Sequence, residues 1–242
     1  MSEPIRTAIL LAAGLGTRMK PLTDTRPKPL IEVGGRTLVD RVLDKLVLQG
    51  VTRAIVNVHY LADQMEAHLK SRKDIDIIIS DERDLLLETG GGVIKALPLL
   101  GEAPFFAINT DVTWATPGDT TYLKMAEAYN PDTMDALLLL ADMGATLGYR
   151  GHGDFFLTHD GLLERRGQRE RAPYVFAGTH ITRAEKLRGY KAEPFSANTY
   201  WNAMGRVGRL YGTVMQPFWM HVGDPAGRDE AEARLLSMGP GS

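Results

Sequence analysis

Residues 8–13 read AILLAA, a short run that is apolar at every position, and Gly14 and Gly16 follow it at once. A run this short and this uniformly apolar is a strand buried on both faces. Such a strand belongs to a sheet lying between two layers of helices. Glycines at its end let the backbone turn tightly and approach a ligand closely. The chain then repeats the theme. Leu38, Val39, Val42, Leu43 and Leu46 recur at helical spacing, Asp40, Arg41, Asp44 and Lys45 fill the other face, and Gly50 marks a stop. Residues 54–58 and 75–79 read as strands, 61–69 as a helix, and 93–100 as a short helix preceded by three glycines. Residues 105–108 are a fourth buried strand. Strand alternating with helix predicts a parallel sheet with right-handed crossovers.

The second half is less regular. Residues 122–129 look helical, 136–140 form a buried strand, and 155–157, 174–176 and 210–214 are strand-like. Residues 224–236 read as a helix that starts at Asp or Pro. No repeat, low-complexity tract or linker interrupts the chain. The fold class expected is therefore α/β: a single mixed, mostly parallel, Rossmann-like sheet with helices on both faces, in one domain over residues 1–242. Residues from about 144 to 204 are expected to form a subregion inserted between sheet strands and facing a substrate.

Composition narrows the function. With 242 residues, 44% of them hydrophobic and 24% charged, the chain can bury a sizeable core without staples. Lys plus Arg is 28 against 30 for Asp plus Glu, so no basic excess calls for a nucleic-acid partner. The absence of cysteine excludes disulfides, thiolate zinc sites and cysteine nucleophiles. No apolar run approaches the roughly 20 residues of a membrane span. The first seven residues lack a basic stretch followed by an apolar core, so no signal peptide and a cytoplasmic location are expected. The small residues closing the chain, 238–242, are expected to be flexible.

The most informative segment is residues 11–30, LAAGLGTRMKPLTDTRPKPL. Successive N–H groups at a glycine turn after a strand make a concave anion site. Arg18 adds a fork of donors suited to phosphate oxygens. Lys28, between Pro27 and Pro29, is a point charge on a stiffened loop. Taken singly, two glycines are an ordinary turn and Arg18 and Lys28 are solvated charges; the whole string is specific. It is not a G-x-x-x-x-G-K-[ST] loop. A dinucleotide fingerprint would need a small residue where Met19 stands, although Glu32 lies near the ribose-binding distance.

This string resembles the signature loop of the sugar-1-phosphate nucleotidyltransferases, and the resemblance covers almost the whole chain. It implies a nucleotidyltransferase, glycosyltransferase-A-like fold, with a nucleotide-binding half (1–112) and a sugar-binding half (about 113–242). It implies a nucleoside triphosphate and a sugar 1-phosphate as partners. Ala13, Gly14, Leu15, Gly16, Thr17 and Arg18 would wrap the triphosphate, and Lys28 would contact its α-phosphate, so that Arg18 and Lys28 are the catalytic residues. In LETGGG, residues 87–92, three glycines before a helix mean close backbone approach or an anion at the helix N-terminus, with a flexible hinge as the alternative; by the resemblance Glu88, Thr89 and Gly90 would hold the nucleobase and ribose. In FFAINTDV, residues 105–112, Asp111 falls on the family's metal-binding aspartate and Asn109 on a substrate contact.

Asp154, and Gly178 within Phe176-Ala177-Gly178, would meet the sugar. The family's second aspartate belongs to a W-x-D-V-G-T-P pattern; here the chain reads WMHVGDP, with His221 in place of the Asp and Asp224 in place of the Thr. Three readings stay open: His221 binds a metal, Asp224 reaches in from three residues away, or Asp111 holds the metal with water and phosphates. Mg²⁺ is the implied ion, with Mn²⁺ or another divalent metal admitted by the imidazole. A histidine that only packs, or that supports a ligand from behind, is the plain alternative.

LETGGGVIKALPLLG, GHGDFFL and the compact length resemble, within the family, enzymes that use UTP and N-acetylmuramate 1-phosphate in cell-wall recycling. Mannose 1-phosphate with GTP, or glucose 1-phosphate with UTP, is the alternative. A muramic acid carries an anionic lactyl group, for which Arg150, Arg166 and Arg183 are candidate cations. The reaction implied is direct metal-assisted in-line attack on the α-phosphorus. A non-catalytic nucleotide-sugar sensor and a nicotinamide-dependent oxidoreductase are the rivals from other classes.

Overall fold

The structure, a computed structural model, describes residues 4–116 and 118–238; the closing residues 239–242 lie outside them. Along the chain come β1 (Thr7–Leu11), β2 (Glu32–Val33), β3 (Arg36–Thr37), α1 (Leu38–Leu48), β4 (Arg53–Val58), α2 (Ala62–Leu69) and β5 (Asp76–Asp81). They are followed by α3 (Glu88–Leu100), β6 (Phe105–Asn109), β7 (Val112–Thr113), α4 (Thr121–Ala128), β8 (Ala136–Asp142) and β9 (Thr146–Leu147). The chain closes with β10 (Phe155–Leu157), β11 (Leu163–Arg165), β12 (Tyr174–Thr182), α5 (Ala184–Leu187), α6 (Asn198–Arg206), β13 (Leu210–Val214), β14 (Trp219–His221) and α7 (Pro225–Ser237).

The central sheet is mixed. Its order is β11-β10-β12-β6-β1-β4-β5, with β8 joined to β12 and β13. β1 lies parallel between β4 and β6, with Ile9 opposite Ile55 on one side and Ala107 on the other. β12 runs antiparallel to β6 and to β8. Side chains alternate across the sheet, as the pleat requires. Ala8, Leu10, Val56, Phe106 and Ile108 pack with Val39, Val42 and Leu46 of α1 and Met65 of α2. Ile9, Ile55, Phe105 and Ala107 pack on the opposite face with Val93 of α3 and Tyr200, Trp201 and Met204 of α6. The helix expected after residue 37 is α1: the Thr37 hydroxyl accepts from the Asp40 N–H, and Gly50 ends it at φ +86°.

Two expectations need correction. The three glycines of LETGGG do not precede a helix; they lie inside α3, which begins at Glu88. The chain at residues 193–195 crosses so close to that turn that a Cβ on Gly91 would strike the Glu193 carbonyl, and one on Gly90 the Phe195 ring. The need for close approach overrides glycine's poor helix propensity. Residues 144–204 are also not only an insertion: they supply the nine-residue β12 at the middle of the sheet.

His180, on β12, is fully buried among Phe176, Tyr200 and Trp201 and meets the Tyr200 hydroxyl at 3.2 Å. Burial pulls its pKa down to about 3. The folded ring therefore stays neutral where the unfolded ring, with its ordinary pKa near 6.5, takes up a proton. Stability from this group is complete above pH 6.5 and drains away as pH falls towards 3. Urea unfolding at pH 6.5 and pH 5 should differ by about 2 kcal/mol from this residue, and His180→Phe should flatten that slope. An equal slope in both proteins would remove His180 from the account.

Candidate active site

A cavity of about 480 Å³ opens at the carboxyl ends of β1 and β6, where open α/β sheets hold their ligands. Its floor is the turn after β1. Gly16 adopts the left-handed region at φ +63°, and a Cβ there would sit 2.9 Å from the Thr23 side chain and 3.0 Å from Lys28. The Thr23 hydroxyl donates to the Gly16 carbonyl at 2.8 Å, and Met19, fully buried, anchors the turn against Ile31, Val33, Met220 and Val222. Held in this way, the backbone N–H groups of residues 14–17 find no protein acceptor among the described residues. Gly14, Gly16 and Thr17 of this turn line the cavity, and backbone donors left unpaired at such a turn suit phosphate oxygens. Gly14 has ordinary φ and open space around its Cα, so its lack of a side chain serves the cavity rather than the turn.

The two charged predictions meet. Lys28 Nζ lies 2.7 Å from Asp111 Oδ2, and both side chains border the cavity. Burial alone would raise the Asp111 pKa; the Lys28 ammonium and the neighbouring His221 ring more than offset it and hold the carboxyl far below the usual range. His221 Nε2 stands 3.7 Å from the same oxygen, and its ring stacks on Trp219 at 5.8 Å. Arg18 is exposed at the rim and has no ion-pair partner among the described residues.

The other predicted residues divide. Ala13, Thr17, Glu88, Thr89 and Asn109 line the cavity. Leu15 does not, and is 44% exposed. Gly90 is buried against Phe195 and gives its N–H to the Phe195 carbonyl at 2.8 Å, which stations Thr89 and Glu88 beside it. Glu88 is held at φ +58°, a strained value for a residue with a Cβ. Asp154 and Gly178 are outside the lining: the Asp154 carboxylate accepts the Phe176 N–H at 2.9 Å, and Gly178 lies at an irregularity of β12 beside Asn109. Asp224 does not join Asp111 and His221. Its carboxylate caps α7, accepting the Gly227 N–H at 2.8 Å, so the spacing that suggested a ligand reflects a helix start.

Sequence reasoning missed Asn57 and Glu82. Asn57 Oδ1 accepts from the Ala12 and Ala13 N–H groups at 2.5 and 3.1 Å, and its Nδ2 donates to Glu82 Oε1 at 2.7 Å. Glu82, with no exposed surface, accepts the Leu87 N–H with its other oxygen at 3.1 Å. Burial pushes the Glu82 pKa up, partly opposed by those two donors. The signal was present: a polar residue breaks the apolar run AIVNV.

Cavity, cation and donor turn together describe a protein that binds a polyphosphate. The chain belongs to the nucleotidyl transferase family, which it matches over residues 7–149. It is 46% identical over 239 residues, 97% of this chain and 99% of the relative, to the N-acetylmuramate alpha-1-phosphate uridylyltransferase of Caulobacter vibrioides. The protein of that name in Neisseria meningitidis is 34% identical over 230 residues, 93% of this chain and 96% of the other. These relatives place the chain among the sugar-1-phosphate nucleotidyltransferases, and the oxidoreductase alternative falls. In fold it matches the inositol-1-phosphate CTP transferase from T. maritima, with a TM-score of 0.79 at 17% identity over 98% of this chain and 97% of that one. UTP-bound UGPase from Acinetobacter baumannii gives 0.78 at 17% identity, over 98% and 95%. Among the described residues, no helix is long and apolar enough to cross a membrane.

Proposed function

We propose that this protein transfers a uridylyl group from UTP to N-acetylmuramate 1-phosphate, giving the UDP-sugar and pyrophosphate, in the cytoplasm and in the service of peptidoglycan recycling. The whole chain, residues 1–242, acts as one domain in this reading. The observation that carries it is the Lys28–Asp111 pair, at 2.7 Å, in one cavity with a glycine turn whose backbone N–H groups have no protein acceptor among the described residues. The sugar phosphate is already an anion at neutral pH, so its oxygen needs no strong base to attack the α-phosphorus. The demand is for orientation and for cations where negative charge gathers. The N–H groups of residues 14–17 hold the phosphate chain, Arg18 closes on it from the rim, and the Lys28 ammonium moves between Asp111 and the α-phosphate oxygens. Glu88 and Thr89 face the nucleoside, and Asn109 faces the sugar phosphate.

A divalent ion fits this donor set. Asp111 offers a carboxylate oxygen and His221 an imidazole beside it, while no three His, Asp or Glu side chains form a closed cage among the described residues. Mg²⁺ takes one or two carboxylates from a protein and the rest from phosphate and water, and Mn²⁺ accepts the imidazole more readily. Bound there, such an ion would neutralise charge on the departing pyrophosphate.

Incubation with UTP, N-acetylmuramate 1-phosphate and Mg²⁺ should release pyrophosphate, with slower release when GTP and mannose 1-phosphate are supplied. Tight UTP binding with no pyrophosphate from any sugar 1-phosphate would instead mark a nucleotide sensor.

A further inference from the structure

Arginines in residues 144–204 divide by the partners they keep. Arg150 pairs with Glu230, Arg169 with Glu164, Arg183 with Glu185 and Arg188 with Glu102. Arg166 spends its donors on the carbonyls of Gly153 and Arg169. Arg150, Arg166 and Arg183 thus each already hold an acid or a carbonyl. Arg171 has no carboxylate partner and is exposed to solvent. Arg165 also has none, yet it is half-buried.

The Arg165 guanidinium is built into place by neutral groups. Nε donates to Asn202 Oδ1 at 3.0 Å and Nη2 to Asn198 Oδ1 at 2.6 Å. The plane lies over the Phe155 ring at 4.6 Å and near Trp201 at 5.9 Å. Burial draws its pKa down while the Asp154 charge pulls the other way. A cation partly withdrawn from water with only amide and aromatic partners has unmet demand for an anion, and its fixed fork matches a carboxylate.

Arg165 lies outside the cavity lining and is joined to the cavity edge by one chain of contacts. Arg165 stands opposite Phe155 in the β10–β11 pair, next to Asp154. Asn198 passes from Arg165 to Ser196, whose hydroxyl it meets at 3.0 Å, and Ser196 lines the cavity. We propose that Arg165 determines sugar specificity by pairing with an acidic substituent of the sugar, a carboxylate separate from the 1-phosphate. The inference rests on the reading of the cavity as a sugar 1-phosphate site, and it names the group that selects among such sugars.

The test is titration calorimetry of the full chain and of Arg165→Gln with N-acetylmuramate 1-phosphate and N-acetylglucosamine 1-phosphate, which differ by the lactyl carboxylate. Mg²⁺ and a non-reacting UTP analogue are present throughout. The unsubstituted chain should prefer the acidic sugar, and the substitution should cut the ratio of the two Kd values by about 10- to 100-fold. Arg165→Lys should keep part of the preference, because it retains the charge without the fork. Equal affinities in the unsubstituted chain, or a ratio unmoved by Arg165→Gln, overturn the proposal. Both sugars weakening alike has the second meaning, since it signals a contact to the shared phosphate or a damaged fold. Sugar preference without pyrophosphate release would sink the proposed reaction and leave Arg165 standing; release without preference would do the reverse. Binding of neither sugar would overturn both.

Discussion

Replacing Lys28 by Met should lower the rate of pyrophosphate release by roughly 10²- to 10³-fold, the loss expected when one preorganised charge is taken from a developing oxyanion. The Lys28 side chain is 13% exposed, so its field is weakly screened, whereas Arg18 is solvated at the rim. Arg18→Ala should therefore cost several-fold less. Without Lys28, burial acts on Asp111 with only the His221 ring opposing it, and the carboxyl pKa rises from its depressed value. The variant should then lose activity further as pH is lowered, while Lys28→Arg keeps the charge and part of the rate. Single-turnover measurements on folded variants decide this, and undiminished turnover in Lys28→Met would remove the residue from the chemistry.

Gly91→Ala should destabilise the protein even though it places a better helix former inside α3. The propensity gain is about 1 kcal/mol. Against it stands a Cβ driven into the Glu193 carbonyl, which is backbone and cannot rotate away. Overpacking of this kind costs about 1–3 kcal/mol and often more when no side chain can yield. A net loss near 2 kcal/mol lowers Tm by about 4–8 °C in a chain of this size. Gly205→Ala in α6 is the control: its Cβ would meet only Leu210, at 3.8 Å, so Tm should hold or rise. A Gly91→Ala variant as stable as that control would show that residues 193–195 can retreat.

The first half was legible because its strands are predominantly apolar and α1 carries one apolar stripe. AILLAA, residues 54–58 and the Leu38-to-Leu46 stripe each report a burial environment that only one element type satisfies. The close backbone approach read from LETGGG is present, but its glycines were placed before the helix rather than inside it, because the chain they accommodate, residues 193–195, is remote in sequence. Strands of two or three residues such as β9 and β14 are too short for a period to show. The nine-residue helix α6 (NTYWNAMGR) is polar along most of its length, and its three buried residues, Tyr200, Trp201 and Met204, are too few to stand out.

At the cavity the structure brings together Gly16, Lys28 and Asp111, each named from a compact string whose chemistry is local. Asp224 was not, because an aspartate that caps a helix and one that binds a metal look alike in sequence. Arg150, Arg166 and Arg183 were named from the sequence without sight of their partners; the coordinates show each holding an acid or a carbonyl, while Arg165 is held by amide oxygens.

Asn57 and Glu82 join the turn after β1 to the first residues of α3 through one side-chain bracket. A change in the 87–92 segment would thus also pull on the turn after β1. A grafted segment should keep this geometry only when positions 57 and 82 travel with it, because their side chains hold both ends of the connection.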